Sequence, residues 1–578
     1  MKKEIMRSGE GDFLIRDLKH FVQVAQGNEP AELVIKDARI YSSFTGEIIA
    51  GDIAIEDGYI AGIGTYDGKK EMFAGKRFVL PGFIDGHIHI ESSMMSPAEY
   101  VKTVVPLGTT TIVNDPHEIA NVAGINGIKY MIDATTDLPM NVYFTLPSCV
   151  PATNLEHSGA VLLAEDLMPL LDRPEIIGLS EFMNVPGVLF GDDVAYDKLQ
   201  MRDNLHIEGH APGLAGNKLM AYRAAGVTSD HECITREEGR ERLRAGMYLQ
   251  IREGSAAQNL EKLAPLVTGQ TAPFCMFVTD DCHAADLLTK GHLNYVLKKA
   301  RQMGIDNNLA INMVTINPAR YFGFKDIGAI APGYRADILL FDDFDEYRPY
   351  LVLKDGQIVA KKGEFLAKLD SAPMLQTGGI NFAPLSEEQL RIRIIDGKLH
   401  IIGIVPHQII TEHIELNKPN EEFAEVDAEK DLLKLVVIER HHATGNVGTA
   451  LIKGFGLKKG AVASTVAHDS HNLVIIGTND ADILAAAEEI KRIGGGFAIV
   501  ADGKVLGSLP LPIGGLMAPL SAKEIAQKHE ELTRIAHELG VYEYNSPFSL
   551  VFLSLPVIPS LKLTDMGLVD VERFRIIK

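Results

Sequence analysis

Residues 31–78 carry short runs in which apolar and polar positions alternate, ELVIKDARIYSS and GDIAIEDGYIAGIG, broken by Gly and Asp. This pattern predicts a small antiparallel sheet. It returns at residues 336–365 in ADILLFDDF and YLVLKDGQIVAKKGEF, with a KDG turn between two strand-length runs. The chain therefore leaves a sheet and comes back to finish it. Residues 31–78 and 326–370 are expected to form one composite β domain, with residues 1–30 as an N-terminal extension.

The insert, residues 79–325, reads differently. FVLPGFIDGHIH, TTTIVND, MNVYFTL, EIIGLSEF, NLHIEGH, GVTSDHE, MYLQIRE and CMFVTDD are eight short apolar runs separated by helical or loop-like sequence. Such alternation predicts a parallel sheet, and eight units over roughly 250 residues is the usual length of a (β/α)8 barrel. A doubly wound open sheet is the alternative. Beyond it, SAPMLQTGGINFAPLSEEQ reads as a linker, and strands such as LRIRIIDGKLHIIGIV and LLKLVVIER predict a separate C-terminal α/β domain over 375–578. The overall expectation is an α/β chain: a TIM-like barrel, a split small β-sheet domain and an extra C-terminal domain. The acidic stretch NEEFAEVDAEKD is expected to be a solvated face.

Composition narrows the partners. Hydrophobic residues are 46% and charged residues 23% of 578, which excludes collagenous, coiled-coil or wholly disordered chains. A formal charge of -21 disfavours nucleic acid or an anionic membrane as partner and leaves a small molecule or a protein. The N-terminus shows no apolar signal core, and no run of about 20 apolar residues occurs, so a cytoplasmic location is expected. Cys149, Cys233, Cys275 and Cys282 are too few and too irregularly spaced for a disulfide framework, and are expected to be buried thiols in a reducing compartment.

The chemistry gathers at strand ends. His87 and His89 sit two apart after an apolar run, so in a strand both imidazoles project on one face and can share a metal ion. Barrel enzymes place their chemistry at the C-terminal ends of strands. There, further runs end in Glu181, His210, His231, and Asp280 with Asp281. Four histidines and two carboxylates suit one or two divalent ions, with zinc, iron and manganese all compatible. Read from residues alone, the chain points to metal-assisted hydrolysis.

This arrangement resembles the amidohydrolase superfamily. More closely, PGFIDGHIHIESSMMSP, VNDPHEIANV, SEFMN, EGHAPGL, SDHE and VTDD are similar to the bacterial adenine deaminase family, whose extra domain is resembled by ERHHATGN and VAHDSHN. The resemblance implies His87, His89 and Asp280 on one metal, His210 and His231 on a second, and Glu181 bridging in place of the carboxylated lysine common in the superfamily. It implies a binuclear site of manganese or iron, with zinc as a further option, and free adenine as substrate in a homo-oligomer, a dimer favoured. It also implies attack of a metal-activated hydroxide on carbon 6, with Asp280 shuttling the proton to the leaving ammonia.

A second group must protonate the purine ring; Glu181, Glu91, His117 and Glu253 are the candidates. Glu91 follows the HxH pair by two residues, and Asp115, His117 and Glu118 follow the second strand; each could instead cap a loop. Arg252 and Glu253 close the seventh strand, where an outward ion pair is the plain alternative, and Asp281 could orient a ligand histidine. His441, His442, His468 and His471 either reach the active site or a third metal, or pack the C-terminal domain. Other functions open at this stage are a cyclic amidase or deacetylase of the same superfamily and a non-catalytic scaffold. Zinc nucleic-acid deaminases are disfavoured because HxE followed by PCxxC is absent.

Overall fold

The computed structural model describes residues 17–577 apart from 256, 370–372, 374 and 407. Two Asp-Gly turns start its flanking sheet. Ile48–Glu56 and Tyr59–Gly64 pair across Asp57 (φ 52°) and Gly58 (φ 82°), and Leu351–Lys354 and Gln357–Lys361 across Asp355 (φ 49°) and Gly356 (φ 73°). Two consecutive positive-φ residues give a turn whose twist matches the strands it joins, which Asp-Gly adopts readily. These hairpins join Leu33–Tyr41, Glu71–Phe73, Phe78–Pro81, Ile338–Phe341 and Glu364–Phe365 in one nine-stranded sheet. Its closing contact is Ile338–Phe341, antiparallel on Phe78–Pro81, so the two ends of the insert are neighbours. Of the N-terminal extension, residues 1–16 lie outside the described residues; the helix Leu18–Ala25, capped by Asp17, packs Phe21 and Val24 onto this sheet.

From Pro81 the chain passes through Gly82 into the first of eight parallel strands. A Cβ at Gly82 would lie 1.9 Å from Thr110 Oγ1, so only glycine fits this crossing. The strands are β1 Phe83–Ile88, β2 Thr109–Asn114, β3 Asn141–Leu146, β4 Ile176–Phe182, β5 Ile207–Gly209, β6 Ser229–Asp230, β7 Tyr248–Arg252 and β8 Cys275–Val278. Each lies within one of the runs singled out from the sequence. They are almost continuously buried, as parallel strands covered on both faces must be.

Strands β1 to β5 form one sheet in sequential order and β6 to β8 a second. Two main-chain contacts link them: Thr228 N donates to Ile207 O at 2.9 Å, and Asp280 N donates to His87 O at 3.0 Å. Helices such as Pro97–Val104, His117–Thr135, Gly216–Ala224 and Arg236–Arg244 connect successive strands.

Downstream, Lys398–Ile404, Thr411–Asn417, Leu433–Ile438, Val447–Lys453, Ala461–Ser464, Leu473–Gly477, Gly496–Ala501 and Lys504–Pro510 build an eight-stranded sheet. The helix Asp480–Ile493 covers it through Ile483, Ala486, Ala487 and Ile490. This region is fused to the parallel strands, because one hydrophobic core contains Ile88, Met95 and Val101 together with Leu511, Met517 and Ile525. Ala518 N donates to Met94 O at 2.9 Å and Ser96 N to Ala518 O at 2.8 Å across the join. The four cysteines are free and buried. No helix among the described residues is long and apolar enough to cross a membrane.

Candidate metal centre and active site

The parity of β1 sends Asp85, His87 and His89 to one side, and all three are buried. Asp85 lies deepest. It accepts from Thr279 Oγ1 at 2.6 Å and Thr279 N at 3.2 Å, and burial pushes its carboxyl up to about 7. His89 Nδ1 lies 3.0 Å from the Asp115 carbonyl. A carbonyl only accepts, so Nδ1 carries the proton and Nε2 is turned to the site, the usual way a ligand imidazole is oriented.

Glu181, at the end of β4, stands at the middle. Its Oε2 is 2.7 Å from His210 Nδ1 and 3.1 Å from His231 Nε2, while Oε1 is 3.6 Å from His89 Nε2 and 3.6 Å from His117 Nδ1. Burial alone would raise its carboxyl; His210 and His231 override that and hold it well below the usual carboxylate range.

Asp280 closes the ring from beyond β8. Its φ of 60° and the bond from its N–H to His87 O turn the backbone so that the carboxylate meets the HxH pair. Oδ1 is 3.2 Å from His89 Nε2 and 3.9 Å from His87 Nε2, and Oδ2 accepts from Arg252 Nη1 at 2.7 Å. Against burial, the Arg252 guanidinium and His89 keep this carboxyl well below its ordinary value.

The six residues expected as ligands are therefore together. His87, His89 and Asp280 form one set of donor atoms within 4.8 Å of one another; His87, Glu181 and His231 form another. His87 is wholly buried, stacks on His231 with ring centroids 4.3 Å apart, and has no hydrogen bond at either ring nitrogen; His231 Nδ1 has none either. Buried imidazole nitrogens without hydrogen-bond partners, among ionised carboxylates, fit a site built for cations.

The provisional candidates divide. His117 is at the site, between Asp115 Oδ2 at 3.0 Å and Glu118 Oε1 at 3.3 Å. Glu91 is buried and accepts from Ile119 N at 3.2 Å; burial pushes its carboxyl up to about 7. Glu253 points away from the site: it pairs with Lys299 and accepts from Leu260 N. Arg252 faces inward, one position earlier, so the expected outward pair belongs to Glu253 alone. Asp281 accepts from Ser92 Oγ at 2.5 Å rather than from a histidine ring.

His441 Nε2 donates to Ser470 O and His442 Nε2 to Ser158 O, so both bracket loops. His468 and His471 reach the active-site side and grip Glu118.

Two functional neighbours escape a reading of the sequence. Glu232 sits 3.5 Å from His210 Nδ1 and 3.6 Å from His231 Nε2, and pairs with Arg252 at 2.6 Å. Glu208 lies 3.6 Å from His87 Nδ1 and accepts from Gln250 Nε2 at 2.7 Å. Strand parity was the available signal for Glu208, which shares the face of His210; adjacency to His231 was that for Glu232.

The family profile described as Amidohydrolase family matches residues 78–361, and that of the adenine deaminase C-terminal domain matches residues 408–575. Adenine deaminase 2 of Carboxydothermus hydrogenoformans is 52% identical over 568 residues, covering 97% of this chain and 99% of the relative. An adenine deaminase of Dehalococcoides mccartyi is 45% identical over 565 residues, with 97% and 99% covered. Among solved structures, the crystal structure of an adenine deaminase aligns with 57% of this chain and 99% of that chain, at 17% identity and a TM-score of 0.45.

Proposed function

Since the chain belongs to the adenine deaminase family of amidohydrolases, we propose that it hydrolyses adenine to hypoxanthine and ammonia. The observation that carries this reading is Glu181, whose two oxygens face two different histidine groups in a buried ring closed by Asp280. We assign His87, His89 and Asp280 to one divalent ion, His210 and His231 to a second, and Glu181 to both. The mixed nitrogen and oxygen donors suit manganese or iron, with zinc as a further option. Divalent ions held by these residues would supply a water acidified enough to attack at neutral pH.

The protein's own groups then manage protons. Arg252 occupies Asp280 Oδ2, which leaves Oδ1 toward the ring of ligands to take the proton of the attacking water and deliver it to the departing amino nitrogen. A purine nitrogen must be protonated as the adduct forms. Glu253 is turned away and Glu181 is held ionised by His210 and His231, which leaves His117 and Glu91, whose Oε2 has no hydrogen-bond partner, for that proton.

The eight parallel strands and the two contacts that link their sheets support a (β/α)8 barrel over 79–325. The returning sheet supports a composite domain of 31–78 with 326–370, and the remainder a C-terminal domain over 375–578. Free, buried thiols are compatible with a cytoplasmic enzyme of purine salvage acting as a homodimer. The test is ammonia release from adenine by metal-reconstituted protein, with an acetamide and a cyclic amide as competing substrates. Turnover of the amides alone would favour the amidase or deacetylase reading.

A further inference from the structure

Over the strand ends, residues 466–472 of the C-terminal region descend into the site. His471 Nδ1 accepts from Ala467 N at 3.1 Å, so its Nε2 carries the proton and donates to Glu118 Oε2; His468 Nδ1 meets Oε1 of the same carboxylate. The buried Arg440 fixes this segment by donating to His471 O at 2.5 Å, to Asn472 Oδ1 from its main-chain N–H at 3.3 Å, and to Gly514 O at 3.0 Å. Glu118 is thus fully engaged.

Its neighbour Asp469 is not. Asp469 is 3% exposed, its Oδ1 lies 4.0 Å from His117 Nε2, and its Oδ2 is buried with no hydrogen-bond partner. The other nitrogen of the same ring, His117 Nδ1, lies 3.6 Å from Glu181 Oε1. One imidazole therefore separates the central carboxylate of the site from an unsatisfied carboxylate oxygen in its roof.

A buried acceptor without a donor is costly, and a ligand carrying an N–H repays that cost on binding. Adenine has two kinds of donor. Its amino group must face Asp280 and Glu181, where it leaves. The remaining donor is the N–H of the imidazole ring, the position that a nucleoside uses for its sugar. We propose that Asp469 Oδ2 accepts this N–H and so restricts the site to the free base. The inference rests on the deamination reading above.

The test compares adenine with 9-methyladenine in the wild-type protein and in Asp469→Asn, which sets a donor against the ring N–H. Wild type is expected to prefer adenine about a hundredfold or more in kcat/KM, since a site built to pair an N–H rejects an analogue lacking it. The variant is expected to lose at least about tenfold of that preference and to bind hypoxanthine about tenfold more weakly in calorimetry, its metal content unchanged. Preference and hypoxanthine affinity equal to wild type would overturn the inference while leaving deamination standing. So would three metal equivalents in wild type against two in the variant, which would make Asp469 a ligand. Should Asp469→Asn not fold, inhibition of wild type by purine and by 9-methylpurine decides, and equal inhibition overturns the proposal. Wild-type protein that releases no ammonia from adenine with any metal overturns the proposed function and this inference together.

Discussion

Arg252 and Glu253 are adjacent in sequence and opposite in role. Strand parity turns Arg252 inward between Asp280 and Glu232 and sends Glu253 out to Lys299. Arg252→Met would leave Glu232 and the buried Asp280 without their guanidinium; the expected loss is about 3–5 kcal/mol of stability, read as a lowered melting temperature of the protein purified under chelation. An unchanged Tm would contradict the arrangement. Asp280→Asn keeps the shape of the side chain and removes its basicity, so kcat is expected to fall about a thousandfold, a loss much larger than any change in metal content. The six residues that the structure brings together were legible in the sequence because their types end predicted strands. Asp469 and the grip of His468 and His471 on Glu118 were not, because those partners are brought together only by the packing of the C-terminal region.

At the level of elements, the sequence runs located all eight parallel strands, since most are short, apolar and bounded by polar segments; β6, Ser229–Asp230, has no apolar residue of its own and was marked by the run GVTSDHE around it. Their neighbours and the links between β5 and β6 and between β8 and β1 depend on register, which alternation does not encode. Gly82 marks where the flanking sheet hands the chain to β1. Gly82→Ala would drive a Cβ into Thr110 and is expected to cost about 1–3 kcal/mol. Gly269, with nothing near its Cβ position, should accept alanine within about 0.5 kcal/mol. Parallel denaturant titrations check both, and equal midpoints for the two variants would contradict the close crossing.

Across the whole molecule, one core runs from the parallel strands into the C-terminal region, and global stability should respond to groups buried there. Lys562 donates to Ile409 O and Phe552 O, and burial lowers its ammonium to about 7. Above that pH the native chain holds a neutral amine while the unfolded chain stays protonated to about 10.4, so the unfolded state binds more protons and stability rises over this window. Lys562→Met should remove up to about 1.4 kcal/mol per pH unit of that slope between pH 7.5 and 9.5, measured by denaturant unfolding. A slope identical to wild type would contradict a buried, depressed lysine.

The central claim, a metal-dependent adenine deaminase, is tested most directly by ammonia release. Protein purified under chelation is reconstituted separately with manganese, iron and zinc and given adenine, with Asp280→Asn as control. The expected result is ammonia and hypoxanthine in equal amounts, absent without metal and lost in the control. Folded, metal-loaded protein that releases no ammonia from adenine would contradict it.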